Sequence, residues 1–279
     1  MVINMKNGIF ESEFAKGFIN LCDMGWQKGW HERNGGNLSY RIKKEEIAPY
    51  INSLCRTGEL HEIGVTLPRL AGEFFMVTGS GKYMSNVKGD PENCLAVIEI
   101  SPDGGHFRTV AGLSAGGRPT SELPTHLMGH DARMCATGGS RRVIYHCHPA
   151  NLIAMTFLLP LEDRVFSKEL WEMMTECPII FPAGVGVVKW MVPGGAEIAR
   201  ASVEKMKTFD AVVWAHHGIF CAGDDFDNTF GLCHTVEKAA EIWIKVRSAA
   251  DGKRQTITKD EFVELAKAFG VELNTDFLD

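Results

Sequence analysis

The spacing of apolar residues predicts helices near both ends of the chain. Near the start, apolar side chains recur every three or four positions, at Phe10, Phe14, Phe18 and Leu21. This spacing gives one buried helix face and predicts a helix over about residues 10–26. Near the end, similar patterns predict helices over about residues 228–249 and 259–269, with Asn228 capping the first and Gly270 ending the second.

Short apolar runs between these helices predict the strands of a sheet. They lie at residues 38–42, 73–78, 94–100, 107–111, 142–146, 179–181 and 211–215. Helical patterns separate several of them, and strands mixed with helices along one chain predict an α/β fold with helices on both sides of a sheet. Because no repeat, linker or charge block marks a boundary, we expect one domain over residues 1–279.

Composition and charge narrow the classes of partner. The 279 residues carry a net charge of −6, and no dense block of Lys and Arg is present, which argues against nucleic acid and membrane partners. The longest apolar stretch, residues 152–161, is far shorter than the roughly 18–20 residues that span a bilayer. The first 14 residues lack the apolar core of a secretory signal, so we expect a cytoplasmic protein.

Histidines follow two of the predicted strands. His146 and His148 flank Cys147, and because strand side chains alternate, the two imidazoles face the same side. They are either a pair of metal ligands or two separately packed histidines. A second strand ends at His216 and His217, and one of these would complete the three-ligand arrangement of catalytic zinc. Neighbours on a strand face opposite sides, so the pattern leaves the choice between them open.

Other histidines compete as metal ligands. His126 and His130 lie four positions apart on the helix predicted after Pro124, and we interpret them as part of a half-exposed helix face. The remaining candidates are isolated and are interpreted as surface or core residues: His31, His61, His106 and His234.

Two glycine-rich turns and a carboxylate are the other candidates for chemistry. The turns at residues 34–37 and 78–82 offer backbone N–H groups that can hold a phosphate, although neither matches a nucleotide loop and each is also an ordinary turn. Glu122 lies beside Thr120 and Ser121 at a predicted helix start. It either stabilises the helix dipole or acts as a general base beside a metal.

Taken in order along the chain, these segments resemble the class II aldolase family, which includes fuculose-phosphate aldolase, ribulose-phosphate 4-epimerase and the adducin head. The resemblance covers nearly the whole chain; residues 50–67 contain no motif of the family. It rests on Gly25-Trp26, residues 32–37, 77–82, 119–124 and 146–148, Leu170-Trp171-Glu172, Thr175-Glu176-Cys177, residues 190–194 and His217-Gly218.

The resemblance implies a role for each matching position. It implies one zinc ion per subunit, held by His146, His148 and His217. His217 is thereby preferred over His216. Glu122 matches the family's acid/base residue, and Glu176 matches a carboxylate that reaches the site of a neighbouring subunit. The positions that match the substrate-phosphate site are Asn34, Gly36, Asn37, Ser80, Gly81, Thr120 and Ser121.

The resemblance also implies a fold and an activity. The implied fold is a three-layer α/β/α sandwich with a mixed, mostly antiparallel sheet, and the implied assembly is a C4 homotetramer. The expected reaction is zinc-dependent retro-aldol cleavage of L-rhamnulose 1-phosphate to dihydroxyacetone phosphate and L-lactaldehyde. The alternatives are cleavage of fuculose phosphate, 4-epimerisation of a related sugar phosphate, and a non-catalytic module like the adducin head. The intact set of three histidines and Glu122 argues against the last.

Overall fold

A nine-stranded sheet forms the centre of the structure, a computed structural model that describes residues 8–250 and 252–278. The strands are β1 (Asn37–Arg41), β2 (His61–Glu62), β3 (Phe74–Thr78), β4 (Leu95–Ile100), β5 (His106–Gly112), β6 (Val143–Cys147), β7 (Gly186–Val188), β8 (Ala211–Trp214) and β9 (Gly218–Gly223). Their order is β2-β5-β4-β3-β1-β6-β9-β8-β7. Neighbours pair antiparallel except β7 and β8, so the expectation of a mixed, mostly antiparallel sheet is confirmed.

Helices cover both faces of this sheet, as expected for a three-layer α/β/α sandwich. They are α1 (Glu13–Gln27), α2 (Lys44–Ile47), α3 (Met84–Val87), α4 (Pro91–Cys94), α5 (Leu123–Thr137), α6 (Ala150–Met155), α7 (Asp163–Trp171), α8 (Cys177–Ile180), α9 (Ala196–Met206), α10 (Phe226–Ala249) and α11 (Lys259–Phe269). Helices α1, α6, α7 and α10 pack on one face, while α5 and α9 pack on the other. None of the helices in the described ranges is long and apolar enough to cross a bilayer.

Strand alternation decides which residues face which layer. On β1, Leu38 and Tyr40 join the apolar core under α1 and α10, and the side chain of Ser39 points to the α5 face. On β6, Tyr145 joins the α10 core, whereas Ile144 packs with residues of α9 on the opposite face. The odd-numbered residues of β1 and the even-numbered residues of β6 therefore point their side chains toward the layer of helices that contains α5.

Two local predictions are wrong. Helix α10 is capped by Asp225, whose side chain accepts a hydrogen bond from the Asn228 backbone N–H, so Asn228 is inside the helix and is not its cap. Residues 179–181, predicted as a strand, belong in large part to the short helix α8 because Pro178 occupies its first turn. The predicted start and stop of α11 are confirmed, since Thr258 forms a capping box and Gly270 is left-handed.

The predicted domain limits of 1–279 and the argument from the first 14 residues both include residues outside the described ranges. These two expectations stay predictions.

Candidate metal centre and acid–base site

Three histidines meet at one end of strands β6 and β9. His146 is the next-to-last residue of β6, His148 follows the strand, and His217 directly precedes β9. The strands pair antiparallel, with Cys147 opposite Ile219, so the end of one lies beside the start of the other. The ring centroids are 4.8–5.0 Å apart, and one nitrogen of each ring lies within 4.8 Å of the others.

Hydrogen bonds on the far side of two rings orient them toward this common point. His146 Nδ1–H donates to the Ile219 carbonyl oxygen at 2.9 Å, and His148 Nδ1–H donates to Glu32 Oε1 at 2.7 Å. Their Nε2 atoms consequently carry the lone pairs, and these atoms are 3.3 Å apart. A carboxylate behind a histidine is a common support of metal-binding imidazoles. Glu32 lies in residues 32–37, one of the segments that carry the family resemblance, but no role is predicted for it.

Burial keeps two of the three rings, those of His146 and His217, neutral. Burial, with the neighbouring imidazoles, holds the pKa of His146 well below its usual value, and burial lowers the pKa of His217 to about 4. Only a neutral imidazole has a lone pair for a metal ion. Three converging imidazole nitrogens are a donor set that suits zinc and similar transition metals better than calcium or magnesium. The residues present therefore fit a divalent metal of this kind.

His216 lies outside this cluster. Its backbone has a φ of +60°, which turns the side chain away from its neighbour His217. The ring Nδ1 is 3.0 Å from Thr156 Oγ1, and the ring packs on Phe157. The structure thus brings His217, and not His216, to the other two histidines.

Glu122 faces the histidine cluster from the other side. It immediately precedes α5, is only 7% exposed, and places Oε2 3.7 Å from His146 Nε2. The same oxygen accepts a hydrogen bond from Asn37 Nδ2 at 2.8 Å. Burial raises the pKa of this carboxyl, against the lowering effect of the Asn37 bond. Its side chain makes no capping hydrogen bond to a backbone N–H of α5. The geometry therefore does not favour the interpretation of Glu122 as a simple helix-start residue.

The predicted phosphate-binding turns converge on this end of the sheet. The Ser80 N–H donates to the Arg118 carbonyl at 2.8 Å, and the Thr120 N–H donates to the Thr78 carbonyl at 2.9 Å. These bonds place residues 78–81 beside residues 118–121. The Thr78 hydroxyl accepts from the backbone N–H of Leu38, which ties both segments to the start of β1.

The turn at residues 34–37 contributes three of the predicted positions. Asn34 is exposed and Gly36 is left-handed, with a φ of +73°. The Asn37 side chain is buried and is bound to Glu122 and His126, so its amide holds the carboxylate in this structure. A contact between Asn37 and phosphate stays a prediction.

Two further predictions concern residues away from the cluster. Glu176 precedes α8 and is exposed, and within the described ranges it has no hydrogen bond or ion pair with the three histidines. The interpretation of His126 and His130 as a half-exposed face is wrong, because both rings are fully buried and lie 2.7 and 2.8 Å from Ser39 Oγ.

The segment at 61–63, for which no role is predicted, lines a cavity of about 210 Å³ beside Thr120.

Known proteins resemble this chain over most of its length. The family described as "Class II Aldolase and Adducin N-terminal domain" matches residues 16–244. Rhamnulose-1-phosphate aldolase of Mannheimia succiniciproducens is 48% identical over 94% of this chain and 96% of that protein, and the one of Pectobacterium atrosepticum is 46% identical over the same shares. The crystal structure of a sugar-phosphate aldolase from Thermotoga maritima matches with a TM-score of 0.69 and 28% identity, covering 85% of this chain and 95% of that one.

Proposed function

Because the chain belongs to the class II aldolase and adducin family, we propose that it catalyses the reaction for which its relatives are named, the cleavage of L-rhamnulose 1-phosphate to dihydroxyacetone phosphate and L-lactaldehyde. Class II aldolases are metal-dependent lyases, and the three histidines can bind a metal. The observation that carries the proposal is the buried carboxylate of Glu122, 3.7 Å from a ring of that cluster.

The metal in this proposal is zinc, one per subunit, held by His146, His148 and His217. When bound, it supplies a Lewis acid that polarises the substrate oxygens. The hydrogen bonds from His146 to Ile219 and from His148 to Glu32 fix both rings with Nε2 toward the site, so little reorganisation is needed on binding.

Glu122 is the proposed proton carrier at C3 of the substrate. When the C3–C4 bond breaks, its electron pair stays on C3, and C3 must gain a proton to become a CH₂ group of dihydroxyacetone phosphate. A buried carboxyl with a raised pKa beside the cluster suits this transfer. In the synthetic direction the same carboxylate removes this proton.

The phosphate is proposed to bind the converging turns. Ser80 and Ser121, which carry hydroxyl groups, are exposed there, and glycines let the main chain approach the anion. The proposed positions are Asn34, Gly36, Asn37, Ser80, Gly81, Thr120 and Ser121.

The cleavage also releases the proton of the C4 hydroxyl as C4 becomes the aldehyde. Glu176 of a neighbouring subunit is proposed to take it. In its own subunit, Ile179 and Ile180, just beyond Glu176, line a hollow with Arg141 and Gly223. Arg141 precedes β6, whereas His146 lies at the far end of that strand, so Glu176 is close to the opposite end of the sheet from its own histidines.

A homotetramer with sites near subunit interfaces would let each Glu176 serve a neighbour. Apolar side chains stay exposed on this chain, including Trp190, Val192 and Phe157, and exposed apolar surface often marks a contact between subunits. A cytoplasmic location stays a prediction.

The test combines metal analysis with turnover. Purified protein is expected to hold about one zinc per chain, to lose turnover with a chelator and to regain it with zinc, and to cleave rhamnulose 1-phosphate in preference to fuculose 1-phosphate. Glu122→Gln is expected to keep the zinc and to lower kcat by roughly 10²–10⁴-fold, the range of general acid–base catalysis. Glu197→Gln, at the exposed first turn of α9, is the matched control and should leave kcat unchanged.

Each part of the proposal has its own contrary result. Full turnover in a verified metal-free sample contradicts the zinc requirement. Preference for fuculose 1-phosphate contradicts the proposed substrate. A protein with neither metal nor turnover is a non-catalytic module. Wild-type kcat in zinc-loaded Glu122→Gln removes Glu122 from the reaction.

A further inference from the structure

A row of buried hydrogen bonds leads from Glu122 into the interior. Glu122 bonds to Asn37 on β1, and Asn37 bonds through its other amide atom to His126 on α5. His126 in turn bonds to Ser39 on β1, and Ser39 bonds to His130 on α5. His126, His130 and Ser39 are fully buried. Except for Glu122, none of these side chains contacts the histidine cluster through a hydrogen bond or ion pair in the described ranges.

The spacing of these residues matches the two elements that carry them. Asn37 and Ser39 are two apart on a strand, so they share one face and lie about 7 Å apart. Glu122, His126 and His130 are four apart, so they follow one face of α5 and its start at intervals of about 6 Å. The two periods are nearly equal, and the polar side chains therefore interlock as α5 packs on β1.

The direction of each bond follows from the chemistry of Glu122. An ionised carboxylate only accepts, so Asn37 must present its NH₂ group, and its oxygen then faces His126. His126 must donate from Nε2–H to that oxygen, which leaves a lone pair on Nδ1. The Ser39 hydroxyl donates to this Nδ1 at 2.7 Å and accepts from Nε2–H of His130 at 2.8 Å.

The far end of the row agrees with this assignment. His130 Nδ1 is buried and has no hydrogen-bond partner, as expected for a nitrogen that carries no proton. Burial lowers the pKa of His126 to about 3 and holds that of His130 well below its usual range, so both rings stay neutral. With neutral rings and an ionised Glu122, one assignment of donors and acceptors satisfies every other bond of the row.

We propose that His126 is a positioning residue for Glu122, acting through the Asn37 amide. Its Nε2–H holds the Asn37 oxygen on the His126 side and so keeps the NH₂ group on the carboxylate. Ser39 and His130 fix the tautomer of His126 that can do this. A reversed amide would bring an oxygen against the carboxylate, push Glu122 from its place beside His146 and misalign the proton transfer. This inference rests on the proposed function.

The decisive comparison is between two substitutions at one position. The side-chain nitrogen of glutamine reaches the place of imidazole Nε2, whereas that of asparagine reaches only the place of Nδ1. His126→Gln is expected to retain most of the wild-type kcat. His126→Asn is expected to lower kcat by roughly 10- to 100-fold, the scale of a misplaced catalytic group, with KM and zinc content nearly unchanged. His106→Asn on β5 is the matched control and should leave kcat as it is.

Equal kcat in His126→Gln and His126→Asn, or a change confined to KM, would overturn the proposal. If either variant does not fold, Ser39→Ala carries the test, because it frees the His126 tautomer while keeping the ring; wild-type kcat there is a contrary result.

A second readout does not depend on turnover. The ¹⁵N spectrum of wild-type protein labelled at histidine, assigned with His130→Gln, should show Nε2–H tautomers for His126 and His130. An Nδ1–H tautomer at His126 refutes the inference. If wild-type protein fails to cleave rhamnulose 1-phosphate, the proposed function fails, and this spectrum still decides the hydrogen-bond assignment.

Discussion

Replacing Gly36 with alanine should disturb the metal centre from a residue that offers it no ligand. Gly36 has a φ of +73°, a conformation that costs an L-residue about 1–2 kcal/mol. A Cβ atom there would lie 2.5 Å from His31 Nδ1 and 2.6 Å from the carbonyl oxygen of His146. Both distances are shorter than real Cβ contacts allow, so both groups, or the Gly36 backbone itself, must move.

Neither of the two groups can move freely. The His31 ring is buried and bonded at both nitrogens, to the Gly35 carbonyl and to the Tyr145 hydroxyl. The His146 carbonyl belongs to a central strand of the sheet. Overpacking of this kind costs about 1–3 kcal/mol, so Gly36→Ala is expected to lower the free energy of unfolding by about 2–5 kcal/mol in total.

Gly29→Ala separates the clash from the backbone strain. Gly29 has nearly the same φ, +75°, but no atom lies within 4 Å of its Cβ position. Urea unfolding and zinc titration of both variants make the comparison. In Gly29→Ala the free energy of unfolding should fall only by the cost of the backbone strain, and the zinc affinity should not change. In Gly36→Ala the free energy of unfolding should fall further, and zinc should bind more weakly because the His146 backbone shifts. Equal losses in the two variants would refute the reasoning.

The remaining predictions concern the support of the metal and the sharing of the site. Glu32→Ala removes the acceptor of His148 Nδ1–H and should weaken zinc binding by about 10–100-fold, measured by competition with a chelator; an unchanged affinity shows that Glu32 does not orient the ring. Mixing inactive Glu176→Ala and His148→Ala chains under subunit exchange should restore turnover at interfaces that pair an intact Glu176 with an intact metal site. Hybrids that form and stay inactive, or normal cleavage by Glu176→Ala alone, contradict the shared site.

The pairing of His146 with His148 could be predicted because it depends only on strand alternation. A third ligand was also predicted, at His216 or His217, but the choice between them depends on β9, a strand that the apolar pattern does not reveal. Whether His216 or His217 faces the pair is decided by the positive φ of His216 in the turn before that strand. The resemblance to a family supplied that choice, while local pattern alone left it open.

The errors at α5 and α8 have physical causes. The pattern along the helix does not reveal that α5 packs against the sheet beside α9, which buries the rings of His126 and His130. The sequence contains a signal for this contact. His126 and His130, four apart on a helix, have nearly the same spacing as Asn37 and Ser39, two apart on a strand. At residues 179–181, a short apolar run is compatible with either element, and Pro178 in the first turn starts a helix.

The distance along the chain between the paired strands β6 and β9 has a consequence for synthesis and folding. His146 bonds to Ile219, 73 residues further on, and the metal ligands become neighbours only when this long loop has closed. A growing chain on the ribosome therefore cannot assemble the centre when His148 emerges; nearly the whole sheet must be made first. Metal loading is consequently a late event, after the slow pairing of distant strands, and ion supply should affect the yield of active protein more than its rate of folding.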